Sequence, residues 1–374
     1  MVGALTGRSH PINDRARDLL LLDSLPGVGP ARVRKLVRAF GGAAAAVAAP
    51  HAAFSAIAGE AAARARTDAL MLEQVERGLA RAADMGMTVL TWSSSRYPGD
   101  FVHLADPPPV LFLLGRVELL ERSAAVTIVG SRRVTARGRE VARALGRALG
   151  RRGVVVVSGL ALGTDGAAHR GALDVAGDSL AVLGTGADVP YPRTHTRLFR
   201  ALSERGLLVS EFMPGTEATR YNFPRRNRLL AALGSTAVVV VEAGPQSGSL
   251  ITVDHALDLG RDVWAVPGPI DGPACAGSNA LLADGARPLL SIDDFIRDTL
   301  GPCETEECLP GVRNDAFDDS ELSILRHLEH GPLAPSELVD RTGRSLPDVL
   351  ASLTALEVHG RVVRLPGLRY RTAA

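Results

Sequence analysis

The spacing of apolar residues changes character along the chain, and each change predicts a different architecture. Up to about Arg81 apolar residues recur every three or four positions in short blocks with Ala- and Gly-rich joints. This predicts a small helical region over residues 1–82. Its clearest block is "LLLDSLPGVGPARVRKLVRAFGG". Periodicity runs into Pro26-Gly27-Val28-Gly29, resumes with Val33, Leu36, Val37 and Phe40, and stops at Gly41-Gly42. Helix, glycine turn and helix make a helix-hairpin-helix or SAM-like unit. Its turn amides can meet a DNA phosphate, or its glycines can simply close a tight turn in a bundle.

Over residues 84–300 the pattern becomes continuous apolar runs: "MTVLTW", "PPVLFLLG", "AAVTIVG", "GVVVVSG", "SLAVLGTG", "LLVSEF", "TAVVVVEA" and "DVWAVPG". Helical patterns such as "GREVARALGRALGRR" lie between them. Short β-branched runs without alternation are strands buried on both faces, so the predicted class is α/β, a Rossmann-like, mostly parallel sheet with helices on each side. Ligands of such sheets bind beyond the carboxyl ends of the strands. Residues 301–318 are rich in Pro, Gly and acid and read as a linker. Residues 319–374 hold three helical patterns and a terminal hairpin, "RVVRLPGLRYRT", a winged-helix domain. Its third helix, Ser345 to Val358, carries Asp348 and Glu357, with basic character only in flanking Arg344 and His359. That suits protein contact or a structural role better than a DNA groove.

Three glycine-rich loops follow predicted strands. In "VTIVGSRRVTARGREVARAL", Gly130 lets a phosphate approach the backbone, Ser131 offers a hydroxyl, Arg132 a charged fork, and the next helix its amino-terminal amides. In "VVVVSGLALGTDGAAHRGAL", Ser158 and Gly159 make a second anion-binding turn. A nucleophile elbow would need glycine where Val156 stands. Asp165 and His169, four apart on one helix, form a local hydrogen bond more readily than a catalytic pair. In "VVVVEAGPQSGSLITVDHAL", Ser247-Gly248-Ser249 opens a helix fit for an anion or for a tight connection. None of the three is a dinucleotide or P-loop fingerprint. No catalytic residue, metal site or cofactor is expected.

Composition sharpens this picture at one place. Net charge is only +1 over 374 residues, so any polyanion site must come from local clustering. Aromatic residues are 4% of the chain, yet "RYNFPRRNR" sets Phe223 and Tyr221 among Arg220, Arg225, Arg226 and Arg228. Unpaired nucleic acid needs cations for its phosphates and flat partners for its bases. Asn222 and Asn227 add groups for base edges, and Pro224 is expected to stiffen a loop after Phe223. The cysteines, Cys275, Cys303 and Cys308, are too few for a disulfide framework and point to a reducing compartment. Cys303 and Cys308 fit a solvated linker better than zinc. The amino terminus lacks the apolar core of a signal peptide, and no apolar run is long enough for a bilayer. A cytoplasmic protein is expected, with no membrane partner.

The ordered motifs "IVGSRRVTARG", "VSGLALGTDGAAHRGAL", "FPRRNRLLAALG", "VEAGPQSGSLITVDHALDLGRDVWAVPG" and "GSNALLADGA" resemble the DNA-processing protein A (DprA, or Smf) family across the whole central domain. The resemblance implies a non-enzymatic single-stranded DNA binder of natural transformation and competence. It would protect incoming strands after DNA uptake and act in DNA recombination as a homodimer. It would load RecA recombinase past single-strand-binding protein. The implied pocket is Gly130, Ser131, Arg132, Ser158, Gly159, Arg220, Phe223 and Asn227, with Arg225, Arg226 and Arg228 in the same cluster. Arg132 and Arg220 would grip phosphates while Phe223 stacks on a base. The rival is a nucleotide phosphoribohydrolase of the lysine-decarboxylase-like type. Its P-G-G-x-G-T-x-x-E motif ends in a catalytic glutamate, where this chain has Thr252.

Overall fold

The structure, a computed structural model, describes residues 11–301, 319–328, 331–358, 361–365 and 367–372. The expected linker and the Cys303–Cys308 pair lie outside the described residues, except for Gly301. The chain divides into two compact units, Met1–Pro302 and Cys303–Ala374.

The first unit opens with α1 (Pro11–Ser24), α2 (Pro30–Phe40), α3 (Ala43–Ala48), α4 (His51–Ala58), α5 (Glu60–Ala65) and α6 (Ala69–Asp84). The α1–α2 turn places Gly27 at φ 70°, in the left-handed region where glycine is favoured. Gly29 precedes Pro30, whose fixed φ suits a first helical turn. Leu19, Leu22, Val33, Leu36 and Phe54 pack together, and the same cluster takes in Val110 and Phe112 of the sheet. The helical region therefore shares its core with the sheet edge rather than standing apart.

The sheet holds β1 (Thr88–Thr91), β2 (Val110–Gly115), β3 (Ala125–Val129), β4 (Val155–Ser158), β5 (Ser179–Val182), β6 (Leu207–Ser210), β7 (Ala237–Val240), β8 (Val263–Ala265) and β9 (Arg287–Pro288). Between β3 and β9 lie α7 (Ala136–Arg151), α8 (Thr164–Asp174), α9 (Thr196–Arg205), α10 (Asn222–Leu233), α11 (Ser249–Asp258) and α12 (Ala276–Ala283), and α13 (Ile292–Leu300) follows. Among the described residues the strand order is β1-β2-β6-β5-β4-β3-β7-β8-β9. All pairs from β6 to β9 are parallel, whereas β1–β2 and β2–β6 are antiparallel. This is the expected Rossmann-like α/β class.

Both faces of the sheet are dry, which is why its strands read as unbroken apolar runs. Val126 and Ile128 point to one face and join Leu145 and Leu149 of α7 and Ala168 of α8. Val155, Val157, Val238 and Val240 point to the other and join Leu229 and Leu233 of α10 and Val253 of α11. Each such leucine, fully buried, contributes about 1.5–3 kcal/mol. From β3 the chain steps through β4, β5 and β6 in one direction, while β7, β8 and β9 build out the other way. The reversal between β3 and β7 is the topological switch point, where the loops beyond the strand ends diverge and open a crevice.

The second unit contains α14 (Asp319–Leu328), α15 (Pro335–Thr342), α16 (Leu346–Val358), β10 (Val362–Leu365) and β11 (Arg369–Thr372). Ile324, Leu338, Val349, Leu353, Leu356 and Tyr370 form its own core. The antiparallel β10–β11 pair is the wing, tied to the chain before α15 by bridging between Leu333 and Tyr370.

Candidate nucleic-acid interface

A cavity of 780 Å³ lies at the switch point. Its walls come from the turn after β3 (Gly130 to Arg133), the segment entering α10 (Thr219, Arg220, Phe223) and the loop from β7 into α11 (Gly244 to Thr252), with Tyr191 beside them. Gly130 is required by crowding. A Cβ there would lie 2.7 Å from Thr164 Oγ1 and 2.8 Å from the Glu242 carbonyl oxygen. The Ser131 amide donates to that carbonyl at 2.7 Å, pinning the turn across the switch point. The turn then projects Arg132 and Arg133 outward, both exposed.

One expected feature is already used up. The start of α7 was to supply amides for a phosphate. Instead the Glu242 carboxylate accepts from the Thr135 amide (2.9 Å) and hydroxyl (2.6 Å), and Thr135 Oγ1 accepts from the Gly138 amide. A protein carboxylate thus occupies the favourable end of that helix dipole. Charge for a ligand must come from the arginines of the turn.

The segment expected as a loop around Pro224 is helical. Asn222–Leu233 form α10, with Pro224 in the first turn, where a missing amide hydrogen breaks no helical bond. This fixes Phe223 at the helix start, half-buried and lining the cavity. The Arg132 guanidinium lies 5.0 Å from the centroid of the Phe223 ring, and Tyr191 sits 5.5 Å from it at a 37° tilt. Arg220 is exposed and rests on Tyr221, 4.7 Å from that ring's centroid. Among the described residues Arg132, Arg133 and Arg220 have no carboxylate partner, so their charge is available to a ligand.

The structure separates the remaining expected residues from this group. Arg225 pairs with Glu211 at 3.0 Å and Asp23 at 3.4 Å. Arg228 is buried against Glu211 at 2.7 Å and Asp106 at 2.9 Å. Neither lines the cavity. Arg226 does, but its guanidinium is buried and donates to the Gly159 and Val182 carbonyls, closing the ends of β4 and β5. Burial pushes its pKa down to about 10, which still leaves it protonated at neutral pH. Ser158 is fully buried and donates to the Ile128 carbonyl at 2.6 Å. The Gly159 amide donates to Asp165 Oδ2 at 3.0 Å, and a Cβ on Gly159 would collide with the Arg226 guanidinium. The expected second anion turn therefore spends its donors inside the fold, and Gly159 serves to admit Arg226. Asn227 lines the cavity, with Nδ2 donating to the Gly248 carbonyl at 3.0 Å, which ties α10 to the start of α11.

Sequence reasoning missed Tyr191 and Gln246. Tyr191 lies in "VPYPR", an aromatic between prolines in a chain poor in rings, which was the available signal. Asp165 and His169 do not pair with each other. Asp165 accepts from the Gly159 and Ala161 amides, and His169 Nδ1 meets Ser179 Oγ at 2.8 Å. Among the described residues no group of three or more His, Cys, Asp or Glu could hold a metal ion. None of the described helices is long and apolar enough to cross a membrane.

Comparison with known proteins matches this geometry to a family. The family model described as DNA recombination-mediator protein A matches residues 88–300. The chain belongs to the DprA/Smf family. The DprA winged helix domain matches residues 313–367. Protein Smf of Synechocystis is 34% identical over 316 residues, covering 75% of this chain and 79% of its own length. Protein Smf of Escherichia coli is 37% identical over 283 residues, covering 73% and 74%. The structure of DprA from Streptococcus pneumoniae is similar at TM-score 0.65 and 30% identity, over 75% of this chain and 96% of that one. That of DNA processing protein A from Helicobacter pylori, described for its single-stranded DNA binding mode, is similar at TM-score 0.53 and 29% identity, over 58% and 97%.

Proposed function

We propose that this DprA/Smf protein binds single-stranded DNA without sequence-specific readout at the switch-point cavity. One observation carries the reading. Arg132 lies against the Phe223 ring at the wall of a 780 Å³ cavity, flanked by two more arginines that no carboxylate neutralises. Arg132, Arg133 and Arg220 take phosphates, and Phe223, with Tyr191 beside it, offers a platform for a base. Duplex DNA keeps its bases stacked and gains nothing from such a ring. Family membership supports a place in natural transformation, in which a cytoplasmic homodimer protects the incoming strand and loads RecA past single-strand-binding protein. It also supports a helical domain over residues 1–82 and a Rossmann-like domain over 84–300. A binding rather than catalytic role is supported by Thr252, which lines the cavity where a phosphoribohydrolase would need its glutamate.

The test compares single- and double-stranded oligonucleotides in a mobility-shift titration of the full chain. Phe223→Ala should weaken single-strand binding by about 1–3 kcal/mol, the cost of one lost stack. Arg132→Ala should weaken it and flatten the salt dependence, cutting the slope of log K against log salt by about 0.7. Wild-type affinity in both variants would place the strand elsewhere.

A further inference from the structure

Thr252 presents a buried hydroxyl to the cavity with no hydrogen-bond partner among the described residues. It lies on the first turn of α11, is 1% exposed and lines the cavity, and its Oγ1 pairs with nothing. A helical threonine commonly donates to the carbonyl four residues back. Here that carbonyl belongs to Gly248, and Asn227 Nδ2 occupies it instead. An unpaired buried hydroxyl is unfavourable, and one in a cavity wall is a group held for a ligand.

The wall around it says which part of a ligand. From Gly244 to Thr252 the chain carries no charged side chain. Ser247, Ser249 and Gln246 are neutral, and Ile251 is aliphatic. The cavity's exposed cations are Arg132, Arg133 and Arg220, from the other two walls. A phosphate goes to those cations. A neutral wall with a hydroxyl that both donates and accepts suits the hydrogen-bonding edge of a splayed base. The positive end of the α11 dipole favours a base that offers carbonyl oxygens.

We infer that the start of α11 is a base-edge subsite, that Thr252 is its buried hydrogen-bonding group, and that it favours carbonyl-bearing bases such as thymine over adenine. The inference rests on the single-strand reading and adds a base preference to it.

The test measures anisotropy of labelled oligo-dT and oligo-dA of equal length with the full chain, its Thr252→Val and Thr252→Ser variants, and Arg132→Ala. Wild type should prefer oligo-dT. Thr252→Val should lose about 3- to 10-fold on oligo-dT and stay within about twofold on oligo-dA, the range expected for one hydrogen bond. Thr252→Ser keeps the hydroxyl and should keep the preference. Arg132→Ala should weaken both oligonucleotides alike. Without DNA, Thr252→Val should melt no lower than wild type, because it removes an unsatisfied hydroxyl at constant shape. A merely structural threonine would instead lower melting temperature and both affinities together, and that result overturns the subsite. So does unchanged oligo-dT binding by Thr252→Val. If Arg132→Ala and Phe223→Ala weaken binding while Thr252→Val does not, only the subsite is rejected. If wild type binds no single strand, the subsite and the function fall together.

Discussion

Replacing Arg228 with methionine should destabilise the Met1–Pro302 unit by about 3–5 kcal/mol, the usual cost of removing one partner from a buried ion pair. Both partners are sealed off. Arg228 is 4% and Glu211 1% exposed at the side chain, and two parallel contacts join them at 2.7 and 2.8 Å. Burial alone would lower the Arg228 pKa, but the Glu211 contacts outweigh it and the pKa is raised. The pair links α10 to the end of β6, and Arg225 extends it to Asp23 on α1. Methionine fills similar volume but leaves Glu211 facing only Arg225. Arg228→Lys should fall between, since an ammonium cannot form the two-pronged contact. The Arg228→Met/Glu211→Leu double variant should recover most of the loss, because apolar groups of similar size often replace a buried pair at little net cost. Urea denaturation of the four proteins measures the coupling directly. Additive losses would show that the two residues act independently.

This pair also explains what could be read from the sequence and what could not. The parallel sheet was legible because strands buried on both faces leave unbroken runs such as "GVVVVSG". The turn at Gly130 was legible because a strand, a glycine and two arginines adjoin in sequence. The arginine cluster was dense in sequence and dispersed in space. A helix advances about 100° per residue, so Arg225, Arg226 and Arg228 leave α10 in different directions. Their fates depend on Asp23, Asp106, Glu211 and Val182, which lie far away in the chain. Pro224 suggested a loop because proline breaks helices, yet in the first turn it breaks nothing. Glu242 ended a strand in sequence, and nothing local told that its carboxylate would reach the start of α7. The missed contacts are all long-range pairings of polar groups. Apolar periodicity carries no information about these.

Acid should weaken the same unit through His169, by about 1.4 kcal/mol for each pH unit below its ordinary pKa. The imidazole is fully buried between α8 and the sheet, where Ser179 holds Nδ1 and Nε2 has no partner among the described residues. Burial pushes its pKa from 6.5 down to about 3, and His195, Arg170 and Arg226 push the same way. The native state therefore keeps His169 neutral while the unfolded chain takes up a proton. Its contribution is fully present above pH 6.5 and drains away as pH falls toward 3. Burial likewise depresses His195, which adds to the loss. Asp23 opposes it. Burial raises its pKa from 3.8 to about 6, so its charged form strains the native state at neutral pH and protonation relieves that as pH drops through 6. The stability curve of the wild type mixes these slopes, so the informative quantity is a difference. His169→Asn keeps a group near Ser179 and cannot titrate. Its stability gap to wild type should narrow steadily below pH 6.5. A gap that stays constant from pH 7 to pH 4.5 would mean that the folded protein admits the imidazolium, with water reaching Nε2 through the packing of α8 on β5.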